Sequence, residues 1–122
     1  MLEVDVVRIS VIVPIYNVKL YIERCVRSLM EQTLENIEFI FVNDCTPDDS
    51  MDILHYVLEE YPKRREQIKI IEHETNRGIS AVRNTGLKNA TGQYIIYCDS
   101  DDWVEKNMYE KLLVKALETS AD

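Results

Sequence analysis

Four short runs of β-branched and aromatic residues, Ile9–Ile15, Ile37–Asn43, Ile68–Glu72 and residues 93–98, alternate along the chain with stretches of helical periodicity. In residues 18–32 the apolar side chains Ile22, Cys25, Val26, Leu29 and Met30 recur at the three-and-four spacing of one helix face. Ile53, Leu54, Val57, Leu58 and Tyr61 repeat the pattern, Ala81, Val82, Leu87 and Ala90 mark a third helix, and Tyr109, Leu112, Leu113, Ala116 and Leu117 a fourth. Strands apolar on both faces that alternate with helices predict an α/β fold, a Rossmann-like three-layer sandwich on a mostly parallel sheet, with right-handed crossovers.

The punctuation is consistent with these boundaries. Thr46-Pro47-Asp48-Asp49 reads as an N-cap, a proline at the first helical position and a carboxylate closing a capping box. Pro62 stops the second helix, and Gly92 suits the left-handed position after the third. Asn89-Ala90-Thr91 fits a glycosylation acceptor pattern, but the pattern is short and here reads as a helix end. No repeat, linker or low-complexity segment interrupts the 122 residues, which are read as one domain of residues 1–122 with enough apolar content, 46%, for a core.

Charge narrows the function. A net charge of −8 disfavours broad electrostatic attraction to nucleic acid or to an anionic membrane surface. Cys25, Cys45 and Cys98 are odd in number and lack a C-x-x-C pair, so the expectation is a reducing cytoplasm rather than a disulfide framework or zinc site. Segment 1–8, with Glu3 and Asp5, lacks a signal-peptide layout. The longest apolar stretches fall far short of the roughly 20 residues a membrane span needs. The expected location is the cytoplasm, with a peripheral place at the inner face of a membrane as the alternative.

In open parallel sheets, ligands bind beyond the carboxyl ends of the strands. The residues there are Pro14-Ile15-Tyr16-Asn17, Asn43-Asp44-Cys45-Thr46, the segment from His73 to Gly78, and Asp99-Ser100-Asp101-Asp102. The last crowds three carboxylates onto one turn, where repulsion is relieved by a cation. Hard oxygen ligands on a short loop suit Mg²⁺ or Mn²⁺, and the competing reading is a solvated acidic turn before a helix. Asp44 could accept a hydrogen bond from the imide NH of a uracil ring or serve as a plain turn residue. Tyr16 could lie against a base, although an aromatic after a strand more often packs. Asn76, Gly78, Arg83 and Asn84 open the third helix, where a phosphate fits, and Gly86 reads as close helix-to-sheet packing. His55 and His73 take surface or structural roles by default. Lys63-Arg64-Arg65, flanked by Glu59, Glu60 and Glu66, reads as a solvated helix end.

Taken in order, Ser10-Val11-Ile12-Val13-Pro14-Ile15-Tyr16-Asn17, Val42-Asn43-Asp44-Cys45-Thr46-Pro47-Asp48, Asn76-Arg77-Gly78 with Ala81-Val82-Arg83-Asn84-Thr85-Gly86, and Asp99-Ser100-Asp101-Asp102 resemble the motifs of family 2 glycosyltransferases of the GT-A fold. The resemblance runs from Ile9 onward and implies a strand order of 3-2-1-4. It implies that Pro14 and Tyr16 border the uracil and Asp44 binds its ring. Asn76 and Arg83 then line the nucleotide site, and Asp99 and Ser100 sit at the ribose or metal shell. Asp101 becomes the ligand of Mn²⁺ or Mg²⁺ in a DXD motif. Where the family has two aspartates and a glycine, this chain has Asn43, Asp44 and Cys45. The implied reaction transfers a sugar with inversion from a nucleotide-diphosphate donor, a UDP-sugar, to a saccharide or lipid-linked acceptor in cell-surface polysaccharide synthesis. The catalytic base is expected in a C-terminal half beyond Asp122, so these residues are expected to be part of a longer catalytic domain and inactive alone. Without further strands, residues 94–98 would form an apolar edge open to self-association.

Other readings fare worse. A phosphorelay receiver needs paired acids after the first strand, and a dinucleotide site needs G-x-G-x-x-G there, but no glycine precedes Gly78. An EF-hand loop from Asp99 would place Trp103 and Val104 where an oxygen ligand and a glycine belong. A non-catalytic nucleotide-sugar-binding module remains the alternative function.

Overall fold

The structure, a computed structural model, describes residues 6–119; Met1 to Asp5, with Glu3 and Asp5, and residues 120–122 lie outside the described part. The elements run β1 (Ile9–Ile15), α1 (Ile22–Met30), β2 (Ile37–Asn43), α2 (Ser50–Leu58), a 3₁₀ turn (Pro62–Gln67), β3 (Ile68–Glu72), α3 (Ile79–Lys88), β4 (Tyr94–Tyr97) and α4 (Met108–Glu118). All strand pairs are parallel and the sheet order is β3-β2-β1-β4, as expected.

Alternation along β1 explains the three layers. Ile9, Val11, Val13 and Ile15 face a large core shared with α1, α2 and α4, while Ile12 joins Ile40, Val42 and Val82 beneath α3. Both central strands are therefore buried on two faces, which accounts for their near-continuous apolar sequence. Glycine sets how closely α3 approaches: a Cβ on Gly86 would lie 2.9 Å from Cγ1 of the fully buried Ile12. Close packing was the reading for this glycine.

Several local expectations are corrected. α2 begins at Ser50, not at Pro47, and its N-cap makes no side-chain cap bond. Thr46 and Asp48 instead tie two loops together: the Thr46 hydroxyl accepts from Asn17 N at 2.8 Å and Asp48 accepts from Lys19 N at 3.2 Å. Gly92 is not left-handed, since Gly78 is the glycine with positive φ among the described residues. Gly92 is needed because a Cβ would sit 2.7 Å from the backbone N of Ser10. α1 is shorter than its pattern, because Asn17 has φ of 55° and residues 18–21 form a turn. The turn containing Pro62 starts with that proline, after α2 has ended at Leu58.

Arg64 is not solvated. Its half-buried guanidinium donates to the carbonyls of Met30, Gln32 and Leu34, serving the C-terminal end of α1 and the loop after it. Leu87, Leu112 and Leu117 are exposed, whereas Tyr109 and Leu113 carry the buried face of α4. Among the described residues no helix is long and apolar enough to cross a membrane.

Candidate donor site at the carboxyl ends of the strands

The loops after β1 and β2 are laced together. Besides the Thr46 and Asp48 bonds, Val18 N donates to Ser50 Oγ at 3.1 Å, and Thr46 N donates to Asn43 Oδ1 at 2.9 Å. Asp48 holds this lacing as an anion. Burial pushes its carboxyl up, but donors from Ser50, Thr46 and Lys19 outweigh that and bring it down to about 2. Pro14, the residue before the last of β1, is half-buried, and Tyr16 just beyond the strand stands 43% exposed, available to a flat ligand rather than packed in the core. Cys45 takes the left-handed conformation, with φ of 60°, in the turn that follows Asp44.

Asp44 is only 3% exposed and serves the loop after β3. Oδ1 accepts from His73 Nδ1 at 2.8 Å and from Arg77 N at 2.9 Å. Oδ2 accepts from Gly78 N at 2.9 Å and from the Asn76 amide at 3.0 Å. A carboxylate offers about four acceptor sites, so this one is fully engaged. Burial pushes the Asp44 carboxyl up, yet the bonds from His73 and the two backbone amides hold it below the ordinary range. Gly78, with φ of 93°, supplies the conformation that aims its N–H at Asp44. Residues 76–78 are thus fixed before α3 begins.

After β4, Asp99, Asp101 and Asp102 are exposed, and their ligand oxygens lie within 4.8 Å of one another. A turn closed by Asp102 N donating to Asp99 O at 3.0 Å brings them together. Ser100, between them, points into the protein at 5% exposure. The carbonyl of Asp99 also receives the thiols of Cys25 at 3.8 Å and Cys98 at 3.6 Å, which anchors the turn to α1. A hydrogen bond with the neighbouring free thiol of Cys98, together with burial, pushes the Cys25 thiol well above the ordinary range. Three hard oxygen donors on one short turn fit a divalent cation such as Mg²⁺ or Mn²⁺.

Arg83 is exposed on α3 and stacks over Tyr97, with its guanidinium carbon 5.3 Å from the ring centre. Arg24 likewise covers Trp103 at 4.6 Å, just beyond the acidic turn. The structure therefore unites Asp44 with Asn76, and Asp99 with Asp101 and Asp102, and ties Arg83 to the strand that leads into the acidic turn. His73, expected in a surface or structural role, takes the structural one: it is buried after β3 and bonded to Asp44 and Thr85. Its partners lie 29 and 12 residues away in sequence, so no local spacing announced them.

An all-parallel sheet in the order β3-β2-β1-β4 with helices on both faces has the architecture of the GT-A fold. The sequence profile of Glycosyl transferase family 2 matches residues 10–122. The chain belongs to that family. It is 46% identical over 114 residues to the uncharacterized glycosyltransferase EpsJ of Bacillus subtilis, covering 93% of this chain and 32% of EpsJ. The fold is similar to S. aureus TarS 1-349 in complex with UDP, with a TM-score of 0.78, 32% identity and coverage of 91% of this chain and 32% of that one. It is also similar to the mannosyltransferase PcManGT from Pyrobaculum calidifontis in complex with GDP-Man and Mn²⁺, with a TM-score of 0.80, 26% identity and coverage of 94% and 32%. The chain thus spans about a third of the length of these relatives.

Proposed function

We propose that this chain forms the donor-binding part of a sugar-transferring enzyme, taking a nucleotide-diphosphate sugar, specifically a UDP-sugar. The observation that carries the reading is the convergence of Asp99, Asp101 and Asp102 within 4.8 Å at the ligand-binding end of the sheet. The nucleotide complexes of TarS and PcManGT support it.

In this reading Pro14 and Tyr16 border the base, and Asn76 and Arg83 line the nucleotide. Asp99 and Ser100 attend the ribose and metal shell, and Asp101 is the principal ligand of Mn²⁺ or Mg²⁺. Asp99, Asp101 and Asp102 would hold such a cation, which would supply positive charge against the diphosphate of the donor. Asp44 meets the uracil imide by exchange: the imide N–H replaces the amide of the exposed Asn76 on Oδ2, leaving the three other bonds in place.

Transfer proceeds with inversion, by direct attack of an acceptor hydroxyl on a saccharide or lipid-linked molecule, with a base removing its proton. The base and the acceptor site belong to the remaining length of a longer catalytic domain, in keeping with relatives some three times as long. The reaction takes place in the cytoplasm, at the inner face of the membrane, and serves cell-envelope polysaccharide synthesis. The 122 residues alone bind donor weakly and transfer nothing.

Calorimetric titration of UDP with and without Mn²⁺, in the parent chain and in Asp101→Ala, tests the reading. The expected result is binding that strengthens at least about tenfold with metal in the parent and loses that gain in the variant. Metal-independent binding, or none, would overturn it, and sugar transfer by these residues alone would overturn the division of labour.

A further inference from the structure

Asp44 does not stand alone beneath the loop that opens α3. His73 Nδ1 lies 2.8 Å from Asp44 Oδ1, and its Nε2 lies 2.7 Å from the hydroxyl of Thr85 on α3. The imidazole is buried, so both ring nitrogens are satisfied within the protein. A carboxylate only accepts, so Nδ1 carries the proton and orients Oδ1 toward Arg77 N. Removing that donor would free the carboxylate to rotate and loosen both backbone bonds, to Arg77 and to Gly78.

We infer that His73 is a positioning residue for the donor site: through Asp44 it holds the backbone of residues 76–78 in the arrangement that receives the nucleotide, while Thr85 fixes the ring from α3. This inference rests on the donor-site reading above. Its energetic basis is preorganisation: a loop already ordered does not have to be ordered by the ligand. Neither partner of the imidazole is adjacent to it in sequence, which is why the role emerges only from the folded chain.

The two ends of the ring can be separated chemically. His73→Asn places an amide donor near the Nδ1 position, keeping the bond to Asp44 and losing Thr85. His73→Gln reaches toward Thr85 and loses the donor to Asp44. Calorimetric titration of UDP with Mn²⁺ at a temperature where every variant is folded should show His73→Asn within about threefold of the parent and His73→Gln weaker by about tenfold, a change worth roughly 1.4 kcal/mol. Amide hydrogen exchange should quicken at Arg77 and Gly78 in His73→Gln, without a matching change in the core strands. Gly92→Ala, which strains the distant contact with Ser10, is the control that lowers thermal stability but leaves UDP affinity unchanged. Equal affinities for parent and His73→Gln would overturn the inference while leaving the donor site intact. So would losses that track melting temperature across all three variants. If the parent chain binds no UDP, the donor-site reading itself fails and this inference falls with it.

Discussion

Ser10 donates its hydroxyl to Glu38 at 2.5 Å across the register-matched β1–β2 pair, inside the sheet. The same carboxylate accepts from Thr91 N at 2.6 Å and pairs with Lys69 at 3.0 Å. One buried anion therefore joins β1, β2, β3 and the turn before β4. Burial pushes the Glu38 carboxyl up, but the donors from Ser10, Thr91 and Lys69 prevail and hold it below the ordinary range. A carboxyl depressed on folding contributes stability that is present above its unfolded pKa and lost as pH falls through the folded one. Asp48 acts in the same direction, over the window from its ordinary 3.8 down to about 2. Acid titration followed by circular dichroism should show stability falling below about pH 4.5. Glu38→Gln should flatten that fall and cost about 2 kcal/mol at neutral pH. An unchanged acid limb in this variant would count against the role of Glu38.

Gly86 and Gly92 are predicted to reject even a methyl group, for different reasons. At Gly86 the obstacle is the side chain of Ile12, confined under α3, and Gly86→Ala should cost about 1–3 kcal/mol. At Gly92 the obstacle includes the Ser10 backbone, which cannot swing aside, so Gly92→Ala should cost at least as much. Urea denaturation measures both, and a neutral Gly92→Ala would contradict this contact.

Cys45 adopts φ of 60° with a side chain that disfavours it. Cys45→Gly should raise stability by about 0.5–1 kcal/mol, the relief of the left-handed strain exceeding the entropy glycine adds to the unfolded chain. Thermal melting of the variant gives the sign directly.

Arg64 satisfies three backbone carbonyls, one at the end of α1 and two in the loop after it. Arg64→Ala should cost about 2–3 kcal/mol, because those acceptors lose charged donors in a partly buried setting. Arg64→Lys should recover only part of this, since an ammonium cannot reproduce the planar fork. Full recovery by lysine would show that charge alone matters there.

β4 pairs with β1 on one side, and Tyr97 on this strand is exposed. The described chain is therefore predicted to associate with itself through that edge as concentration rises. Tyr97→Lys should weaken the association by placing charge on the edge. Sedimentation velocity over a concentration series checks both statements, and a parent chain that stays monomeric throughout would exclude them.

The sequence by itself determined the layered α/β architecture, because near-continuous apolar strand runs alternating with helices of three-and-four spacing admit few other arrangements. It also marked the acidic turn, since Asp99, Asp101 and Asp102 are neighbours in the chain and needed only a local turn to converge. Helix starts were less legible. Thr46 and Asp48 look like caps in isolation; in the folded chain Asp48 does accept from Ser50 N where α2 begins, but the two side chains also find donors on Asn17 and Lys19, some thirty residues away. Gly92 and Arg64 were misjudged for the same reason, each answering to a backbone segment remote in sequence.

What tertiary structure alone decided is the inner shell of the site. Asp44, His73, Thr85 and Gly78 come from two strand ends and a helix, and no periodicity or spacing relates them. Local pattern encodes which face a residue presents. Only the packing of β2, β3 and α3 brings a buried carboxylate within reach of an imidazole and two backbone amides, and its burial makes those bonds decisive, because a buried charge left unpaired is costly.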